Sequence, residues 1–399
     1  MNDQQWVLQR KKIGLSRRSK KALQAKMVEE KQKMSAISYI HTHFNRKECT
    51  KYVPAHNNVC ACGLLFKEHK TKGELETEND LMFGTKYVHD LDKVSEVSES
   101  TSIHESETAD SLADLLTSPS INHTKKALKN AKALTTSIVK MGEQEVKRND
   151  MIIKDSKSIP ISQHIHEFST NAYGQIEFEG IQASKLTKYL RLADNSTMSS
   201  VKEFICDYWN LMKPRPHLVL SIVGGAKNFK LDGRKKETFK RGLIAAAQAT
   251  NAWILSGGTH AGCMKLIGET VREGQFLVSD GTKMRRGLKA LGLCPWGYIA
   301  NREHLVNDRS NEFKRVIYNS NVEIKRHVKP PLDPNHTHFL MIDNGTNQQY
   351  FKAESGGITE FITQFERMVS DPEPKGLGIP IITLLLEGGT DAIYKVKPF

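Results

Sequence analysis

The second half of the sequence predicts an α/β fold built on a parallel sheet, and three observations support this prediction. Apolar runs of strand length recur there, among them HLVLSIV at residues 217–223. A pair of glycines ends this run and the next, and a helical pattern follows each pair. Strands that alternate with helices in this way form βαβ units, with parallel strands and right-handed crossovers. Because the runs are apolar throughout, helices are expected on both faces of the sheet.

The predicted elements follow one another from residue 172 to residue 386. Two short strand patterns come first, and four apolar strands follow them. These strands are expected at residues 172–178, 188–192, 217–223, 252–255, 338–342 and 379–386. Three of the connections show apolar residues at helical spacing. These helices are expected at about residues 234–250, 262–272 and 355–369.

Composition divides the chain into four parts. Residues 1–35 are predicted to form a basic, helical N-terminus, residues 36–72 a segment containing cysteine and histidine, and residues 161–399 the α/β domain. Residues 73–160 are rich in Ser, Thr, Glu, Lys and Asp. Such a stretch buries too little apolar surface to offset the entropy of ordering its backbone. We therefore expect a mostly disordered linker, with a transient helix near residues 124–142.

The net charge of +13 is unevenly distributed along the chain. Residues 10–26 carry eight Lys and Arg residues and no acidic residue. This run indicates a solvated helix face or a frayed terminus, and contact with anionic lipid, RNA or an acidic partner surface is the alternative. No nucleic acid partner is expected for the chain as a whole.

The sequence lacks two features that would direct the chain into or across a membrane. There is no apolar run of about 18 residues, the length that a membrane-spanning helix needs. The first residues also lack the apolar stretch of a signal peptide. The chain is therefore expected to be cytosolic, and its six cysteines are not expected to form a disulfide framework.

The glycine pairs Gly224-Gly225 and Gly257-Gly258 lie where a predicted strand ends and a helix follows. This edge is the usual ligand site of open α/β sheets. Glycine lets a ligand approach the backbone closely, and the N-terminus of the following helix attracts phosphate. The alternative, that these glycines only allow tight turns, stays open. The polar residues that flank the two turns are Lys227, Asn228, Thr259, His260 and Lys265.

A third glycine pair, Gly388-Gly389, follows the last predicted strand and is expected at the same edge of the sheet. The sequence contains no GxGxxG fingerprint and no GxxxxGK(S/T) loop, which disfavours ordinary NAD binding and ATP hydrolysis. It also contains no GxSxG elbow and no HExxH motif.

Four soft side chains could bind a metal ion near the N-terminus. Cys49, Cys60, Cys62 and His69 follow the spacing C-x10-C-x-C-x6-H, which could supply four ligands to zinc. The C-x-C pair is tighter than the usual C-x2-C. Small buried cysteines that pack the N-terminal lobe are therefore the favoured alternative.

His336 and His338 precede the strand at residues 338–342, and alternation along a strand would place them on one face. That geometry suits a metal, but no nearby acidic residue or cysteine is expected to complete a site. A capping or packing role is therefore favoured for both histidines. Trp253 and Trp296 are expected in the core.

Eight segments together carry a resemblance to a known family. They are RKEC…CACG…H, AYGQIEF, LSIVGGAKNF, FKRGL, AWILSGGTHAGCMKLIGE, PWG, HTHFLMIDNGT and LLLEGG. Over residues 36–70 and 165–392 the chain resembles the N-terminal cytosolic region of melastatin-type transient receptor potential (TRPM) cation channels. The resemblance implies a Rossmann-like fold of the SLOG type. In that family this domain senses ligands such as ADP-ribose in some members and is structural in others.

The resemblance implies that seven residues bind the ligand: Gly224, Gly225, Asn228, Gly257, Gly258, Thr259 and Arg302. Arg302 is expected to contact a phosphate. Two departures from the family pattern weaken this expectation. Val223 stands where ligand-binding relatives can have a hydroxyl donor, and residues 354–358 (ESGGI) replace a stretch where relatives carry arginines. Charge-assisted hydrogen bonds are the strong ones, so these losses lower the affinity for an anionic ligand.

The resemblance implies a cytosolic regulatory, ligand-sensing and assembly region of a calcium-permeable cation channel. Its expected partners are the remaining channel domains and neighbouring subunits of a tetramer at the cytosolic face of the plasma membrane. The candidate small ligands are an ADP-ribose-type nucleotide and zinc. A purely structural interaction domain is the alternative.

Enzymatic activity is not expected. Related SLOG-type enzymes cleave nucleotides with a PGGxGT turn, a catalytic Glu and an Arg, whereas LEGGTDAIY lacks the proline and the downstream acid. The family also continues with further α/β elements, helical repeats and six membrane spans. Because this sequence stops at Phe399, we expect a fragment, a truncated gene model or a short isoform, with an α/β domain truncated at its C-terminal end.

Overall fold

The computed structural model describes nine stretches of the chain, and these form two compact units. The described residues are 35–54, 59–83, 164–180, 186–225, 231–276, 287–307, 315–321, 329–347 and 356–387. The first unit comprises Met1–Lys47 and Glu167–Phe399, and the second comprises Glu48–His166. Within the described residues, no helix is long and apolar enough to cross a membrane.

The elements of the chain are numbered here in sequence order. The strands are β1 (Asn45–Cys49), β2 (Ile165–Ser169), β3 (Tyr173–Phe178), β4 (Thr187–Ala193), β5 (Val219–Gly224), β6 (Trp253–Ser256), β7 (Lys289–Pro295), β8 (Arg315–Tyr318), β9 (His338–Asp343) and β10 (Ile381–Leu386). The α-helices are α1 (35–43), α2 (Lys72–Phe83), α3 (Met198–Glu203), α4 (Gly233–Thr250), α5 (Gly262–Phe276) and α6 (Gly356–Ser370). A π-helical turn, Phe204–Tyr208, continues α3.

Eight strands form one sheet in the order β10-β5-β6-β7-β9-β4-β3-β8. Every neighbouring pair is parallel except β3 and β4, which are antiparallel. This confirms the predicted α/β fold with a mostly parallel sheet. The six predicted strands are all present, and β7 and β8 are additional strands that the sequence analysis did not predict. β1 and β2 pair in a separate two-stranded sheet.

Alternate residues of the central strands face opposite sides of the sheet, and helices cover both sides. Val219 and Trp253 belong to one core cluster, with residues of α1, α3 and α6. Leu220 and Ile254, one position further along each strand, belong to another cluster with residues of α4 and α5. The sheet is thus the middle of three layers, as continuous apolar strands require. Trp253 is fully buried, as expected.

The predicted helices also occur, and α4 has local signals at both ends. Asp232 caps α4, because its carboxylate accepts hydrogen bonds from the backbone N–H groups of Arg234 and Lys235. Asn251 ends the same helix in a left-handed conformation. The chain therefore turns back directly into β6.

The helix α2 differs from the prediction, because it occupies the start of the segment expected to be a disordered linker. The backbone N–H of Thr71 donates to the Glu74 carboxylate at 2.7 Å, and the N–H of Glu74 donates to the Thr71 hydroxyl at 3.2 Å. This capping box is visible in the sequence as Thr-x-x-Glu. The rest of that segment, with the helix expected near residues 124–142, lies outside the described residues, as does most of the predicted N-terminal helix.

Candidate ligand site at the glycine turns

The two glycine turns lie side by side at one edge of the sheet. β5 ends at Gly224, and the neighbouring parallel strand β6 is followed directly by Gly257-Gly258. From β5 the chain adds β6, β7 and β9 on one side, and it then places β10 on the other side of β5. The strand order therefore reverses at β5. Open α/β sheets bind ligands at the carboxyl ends of their strands at such a switch point.

The two glycines of the first turn have different surroundings. A Cβ atom on Gly224 would collide with the backbone oxygen of Leu386 in β10 and would lie 2.9 Å from the Cys263 sulfur. A Cβ atom on Gly225 would meet none of the described residues within 4 Å. The backbone oxygen of Gly225 accepts a hydrogen bond from the N–H of Cys263 at 3.0 Å, which ties the turn to the start of α5. Gly224 is thus required by packing, whereas Gly225 borders open space.

The second turn packs against the neighbouring strand β7. Gly258 has a φ of 69°, in the left-handed region that favours glycine. A Cβ atom there would lie 2.8 Å from the Cα of Gly292 in β7 and 3.1 Å from the Phe339 ring. The backbone N–H of Gly258 donates to the Ser256 hydroxyl at 3.1 Å. Backbone conformation and packing therefore both account for this glycine.

Thr259 completes the second turn, and its hydroxyl is unusual. The residue is 1% exposed, and it pairs with Leu332 in an isolated antiparallel bridge. Its Oγ1 atom is buried and has no hydrogen-bond partner among the described residues. A buried hydroxyl in this condition costs roughly 1–3 kcal/mol of stability. A ligand or water molecule at the turn would recover part of that free energy.

A buried polar network supports the second turn. Asp333 Oδ1 lies 3.1 Å from His336 Nδ1, and Asp333 Oδ2 lies 2.8 Å from His260 Nδ1. His336 Nε2 in turn lies 2.7 Å from the Ser256 hydroxyl. Asp333 is bonded to the turn through its backbone as well, because its N–H donates to the Gly258 oxygen at 2.9 Å. The loop before β9 thereby fixes the turn after β6.

Charge balance in this network favours an ionised carboxylate. Burial by itself would raise the pKa of Asp333, but hydrogen bonds from His260 and His336 outweigh burial and lower the pKa below its ordinary value. With the carboxylate accepting from His336 Nδ1, the other ring nitrogen is left to accept from Ser256. The Ser256 hydroxyl is therefore occupied on both sides, as donor to His336 and as acceptor from Gly258.

The expectation that His336 and His338 lie on one strand face was wrong. His336 precedes β9 and joins the buried network with Asp333, whereas His338 begins β9 and lies 5.1 Å, between ring centroids, from Trp209. Alternation applies only inside a strand, so it does not relate these two residues. The expectation that no acidic residue lies nearby was also wrong, since Asp333 contacts His336. The predicted packing role of both histidines agrees with these contacts.

Arg302 lies beyond the carboxyl end of β7, in the short 3-10 helix Arg302–Leu305. Its guanidinium lies 5.7 Å from the ring centroid of Trp296, which is buried as expected. Arg191 contacts the same ring at 4.4 Å and pairs with the buried carboxylate of Asp343. The aromatic ring thus helps to orient the Arg302 guanidinium.

Several predicted site residues cannot be placed. Asn228 and its neighbour Lys227 lie outside the described residues, and so do Gly388-Gly389 and residues 354 and 355. Gly357, from the same divergent stretch, is the second residue of α6, and a Cβ atom on it would collide with the Asp194 carboxylate. That glycine therefore has a packing role.

The predicted metal ligands come together in the second unit. The ligand atoms of Cys49, Cys60, Cys62 and His69 all lie within 4.8 Å of one another. The three cysteines are buried, and the histidine is half-buried. The sequence spacing therefore identified a genuine spatial cluster.

A cleft of about 650 Å³ between α3, its π-helical turn and α6 was not predicted from the sequence. Its charged lining carries both signs, in Lys202, Glu203, Asp207, Arg367, Asp371 and Lys375. These residues come from distant parts of the sequence and carry no local motif, so only the packing of α3 against α6 brings them together.

The sheet, its switch point and the glycine turns define a Rossmann-like α/β domain. Comparison with known proteins identifies the family of this domain. The family model described as SLOG in TRPM matches residues 187–398, and the chain belongs to this family.

Its relatives include subunits of TRPM cation channels. The chain is 35% identical over 226 residues to the Nematostella vectensis "Transient receptor potential cation channel subfamily M member-like 2", covering 56% of this chain and 14% of that protein. It is 35% identical over 237 residues to subfamily M member 2 of Rattus norvegicus, covering 58% and 15%. It is 30% identical over 271 residues to subfamily M member 7 of Homo sapiens, covering 67% and 14%. The chain thus matches about a seventh of the length of these relatives.

Proposed function

We propose that this chain is a cytosolic regulatory and assembly region of a TRPM-like, calcium-permeable cation channel, and that its glycine turns bind an ADP-ribose-type nucleotide. The names of its relatives support the channel context. The observation that carries the ligand proposal is the Thr259 hydroxyl, which is buried at the switch point of the sheet and has no hydrogen-bond partner in the described part of the chain.

The chemistry of the turns suits a phosphate group. α5 begins three residues after Thr259, and the first turn of a helix presents N–H groups and positive potential. The Thr259 hydroxyl would donate a hydrogen bond to a phosphate oxygen. Gly225 leaves open space in which a ligand can approach the backbone. Arg302 would add a cation beyond β7, as the family resemblance implies.

The proposed partners are the remaining domains of the channel and its neighbouring subunits. In this assembly the chain lies on the cytosolic face of the plasma membrane, as part of a tetramer. The charged cleft between α3 and α6 offers complementary groups of both signs for such contacts.

A purely structural role is the second candidate, and the packing of the glycines favours it. Gly224 and Gly258 are each explained by close contacts within the sheet, without any ligand. Val223, at the end of β5, also offers no hydroxyl to a phosphate. In this reading the unit serves only as an interaction domain.

Titration calorimetry of the purified chain with ADP-ribose, ADP, AMP and NAD distinguishes the two candidates. The expected result is binding heat for ADP-ribose that Gly225→Glu abolishes, because this side chain fills the open space at the first turn. Gly242→Glu is the matched control, since Gly242 is an exposed helical glycine with nothing within 4 Å of its Cβ position.

The absence of binding heat with all four nucleotides would contradict the sensing proposal and support the structural one. Chromatography of the same mixtures tests the remaining alternative. Appearance of a free base or a ribose phosphate would show that the chain cleaves nucleotides, which the proposal excludes.

A further inference from the structure

Four side chains with metal-binding atoms converge in the second unit. They come from the end of β1, from a tight turn at residues 60–63, and from the residue after the 3-10 helix Phe66–Glu68. Three thiols and one imidazole place their ligand atoms within 4.8 Å of one another. The described cysteines are all free of disulfide bonds.

The distances fit a tetrahedral zinc site. Zinc lies about 2.3 Å from sulfur and about 2.0–2.1 Å from nitrogen, so its ligand atoms are separated by roughly 3.5–3.8 Å in a tetrahedron. The Cys62 sulfur already lies 3.4 Å from His69 Nε2. Every other separation is at most 4.8 Å, so movements of about 1 Å would let one ion contact all four atoms.

Hydrogen bonds orient the histidine toward the thiols. His69 Nδ1 lies 2.9 Å from the backbone oxygen of Leu65, so this nitrogen carries the proton and donates it. The other nitrogen, Nε2, is then an acceptor that faces the cysteines. A metal-binding histidine commonly donates its second N–H to a carbonyl in this way, which fixes the ring and its tautomer.

The backbone around Cys60 and Cys62 also favours metal binding. The N–H of Val53 donates to the Cys60 sulfur at 3.3 Å, a contact that stabilises a thiolate. Gly63 has a φ of 90°, and its N–H donates to the Cys60 oxygen at 2.8 Å. This turn compensates for the short C-x-C spacing, because it lets both sulfur atoms point to one position.

The core around the four ligands is small. Among the described residues, its buried apolar side chains besides the cysteines are Tyr52 and Val53, with Ala61, Leu64 and Phe66 packed against them. A core of this size supplies little stabilisation by itself, and small folds commonly use a metal ion to join their segments. A bound ion would crosslink all three segments that supply the ligands.

We propose that Cys49, Cys60, Cys62 and His69 bind one Zn²⁺ ion. Four protein ligands leave no open position for water or substrate, so the site is structural. The ion replaces the thiol protons and holds β1, the turn and the histidine together.

The test is the metal content of the full purified chain, measured by atomic emission after dialysis against metal-free buffer. The expected result is about one zinc ion per chain. Cys62→Ser should reduce the content at least tenfold. Cys206→Ser is the matched control, because Cys206 is a half-buried cysteine outside the cluster, and its zinc content should equal that of the parent.

Exchange with Co²⁺ gives a second readout that does not depend on the stability of Cys62→Ser. The parent chain should show sulfur-to-cobalt charge transfer and the intense d–d absorption of a tetrahedral ion. His69→Cys should keep one ion and strengthen the charge-transfer band, because a fourth thiolate replaces the imidazole. A chain that binds neither zinc nor cobalt, with its cysteines reactive and its circular dichroism unchanged, would overturn the proposal.

Discussion

His336 Nδ1 lies 3.1 Å from the Asp333 carboxylate, and both side chains are buried. Through Ser256 this pair supports the backbone of the second glycine turn. The turn is therefore held by a loop that is more than 70 residues away in the sequence.

Replacing Asp333 by Asn should destabilise the chain by about 2 kcal/mol, because the neutral amide cannot accept equally from His260 and His336. Urea unfolding followed by circular dichroism measures the change. Asp371→Asn, at an exposed position, is the control and should leave the unfolding midpoint within experimental error. Equal stability of the two variants would show that the network is dispensable.

Replacing Arg191 by Lys should destabilise the chain by about 2–3 kcal/mol, although the charge is kept. The guanidinium makes hydrogen bonds to Asp343 and to Asn171 and lies over the Trp296 ring, and an ammonium group cannot reproduce this set. The control is Arg215→Lys at the exposed pair with Glu373, which should cost less than about 1 kcal/mol. Thermal unfolding compares the two, and a small effect at Arg191 would count against the geometric argument.

The two glycines of the first turn should respond differently to alanine. Gly224→Ala is expected to cost about 1–3 kcal/mol, because the added methyl group collides with Leu386 in β10. Gly225→Ala is expected to change the free energy of unfolding by less than about 0.5 kcal/mol, since its Cβ position is open. Chemical denaturation of both variants checks this difference. A reversed order would show that the turn is built differently.

His41 should make stability depend on pH between about 6.5 and 4. Burial lowers the pKa of His41 to about 4, and its Nε2 lies 2.9 Å from the Tyr173 hydroxyl. Because the unfolded chain takes up the proton first, this contribution is complete above the ordinary pKa of about 6.5 and is lost as the pH falls toward 4.

Unfolding midpoints measured across this pH range should therefore fall less steeply in His41→Gln than in the parent chain. His43→Gln, at an exposed histidine of the same helix, serves as the control and should follow the parent curve. If His41→Gln also retains the full slope, another group is responsible for it.

Much of the sheet could be predicted from the sequence, because apolar runs followed by glycines identify buried parallel strands. The strand predicted at residues 217–223 is β5, and the strand predicted at 338–342 is β9. β7 was missed because Gly292 interrupts its pattern. That glycine is needed for the close approach of Gly258, which only the assembled sheet reveals. β8 has only four residues at one end of the sheet, so its pattern is too short to detect.

The candidate site was only partly predictable. The glycine turns and the cysteine cluster carry local patterns, and both were found. Asp333 was missed, because its role depends on a long-range contact with Gly258 that no spacing encodes. The orphaned hydroxyl of Thr259 is likewise a property of packing, since the sequence shows the residue but not its burial.

The pairing of β10 with β5 also constrains when the first turn can form. The two strands lie in parallel register from Val219 opposite Ile381 to Gly224 opposite Leu386. During synthesis β5 leaves the ribosome long before β10 exists, and contacts between distant segments form late. We therefore expect the edge that bears Gly224 to mature last, so that the newly made domain acquires a complete switch point only when residues up to Leu386 are available.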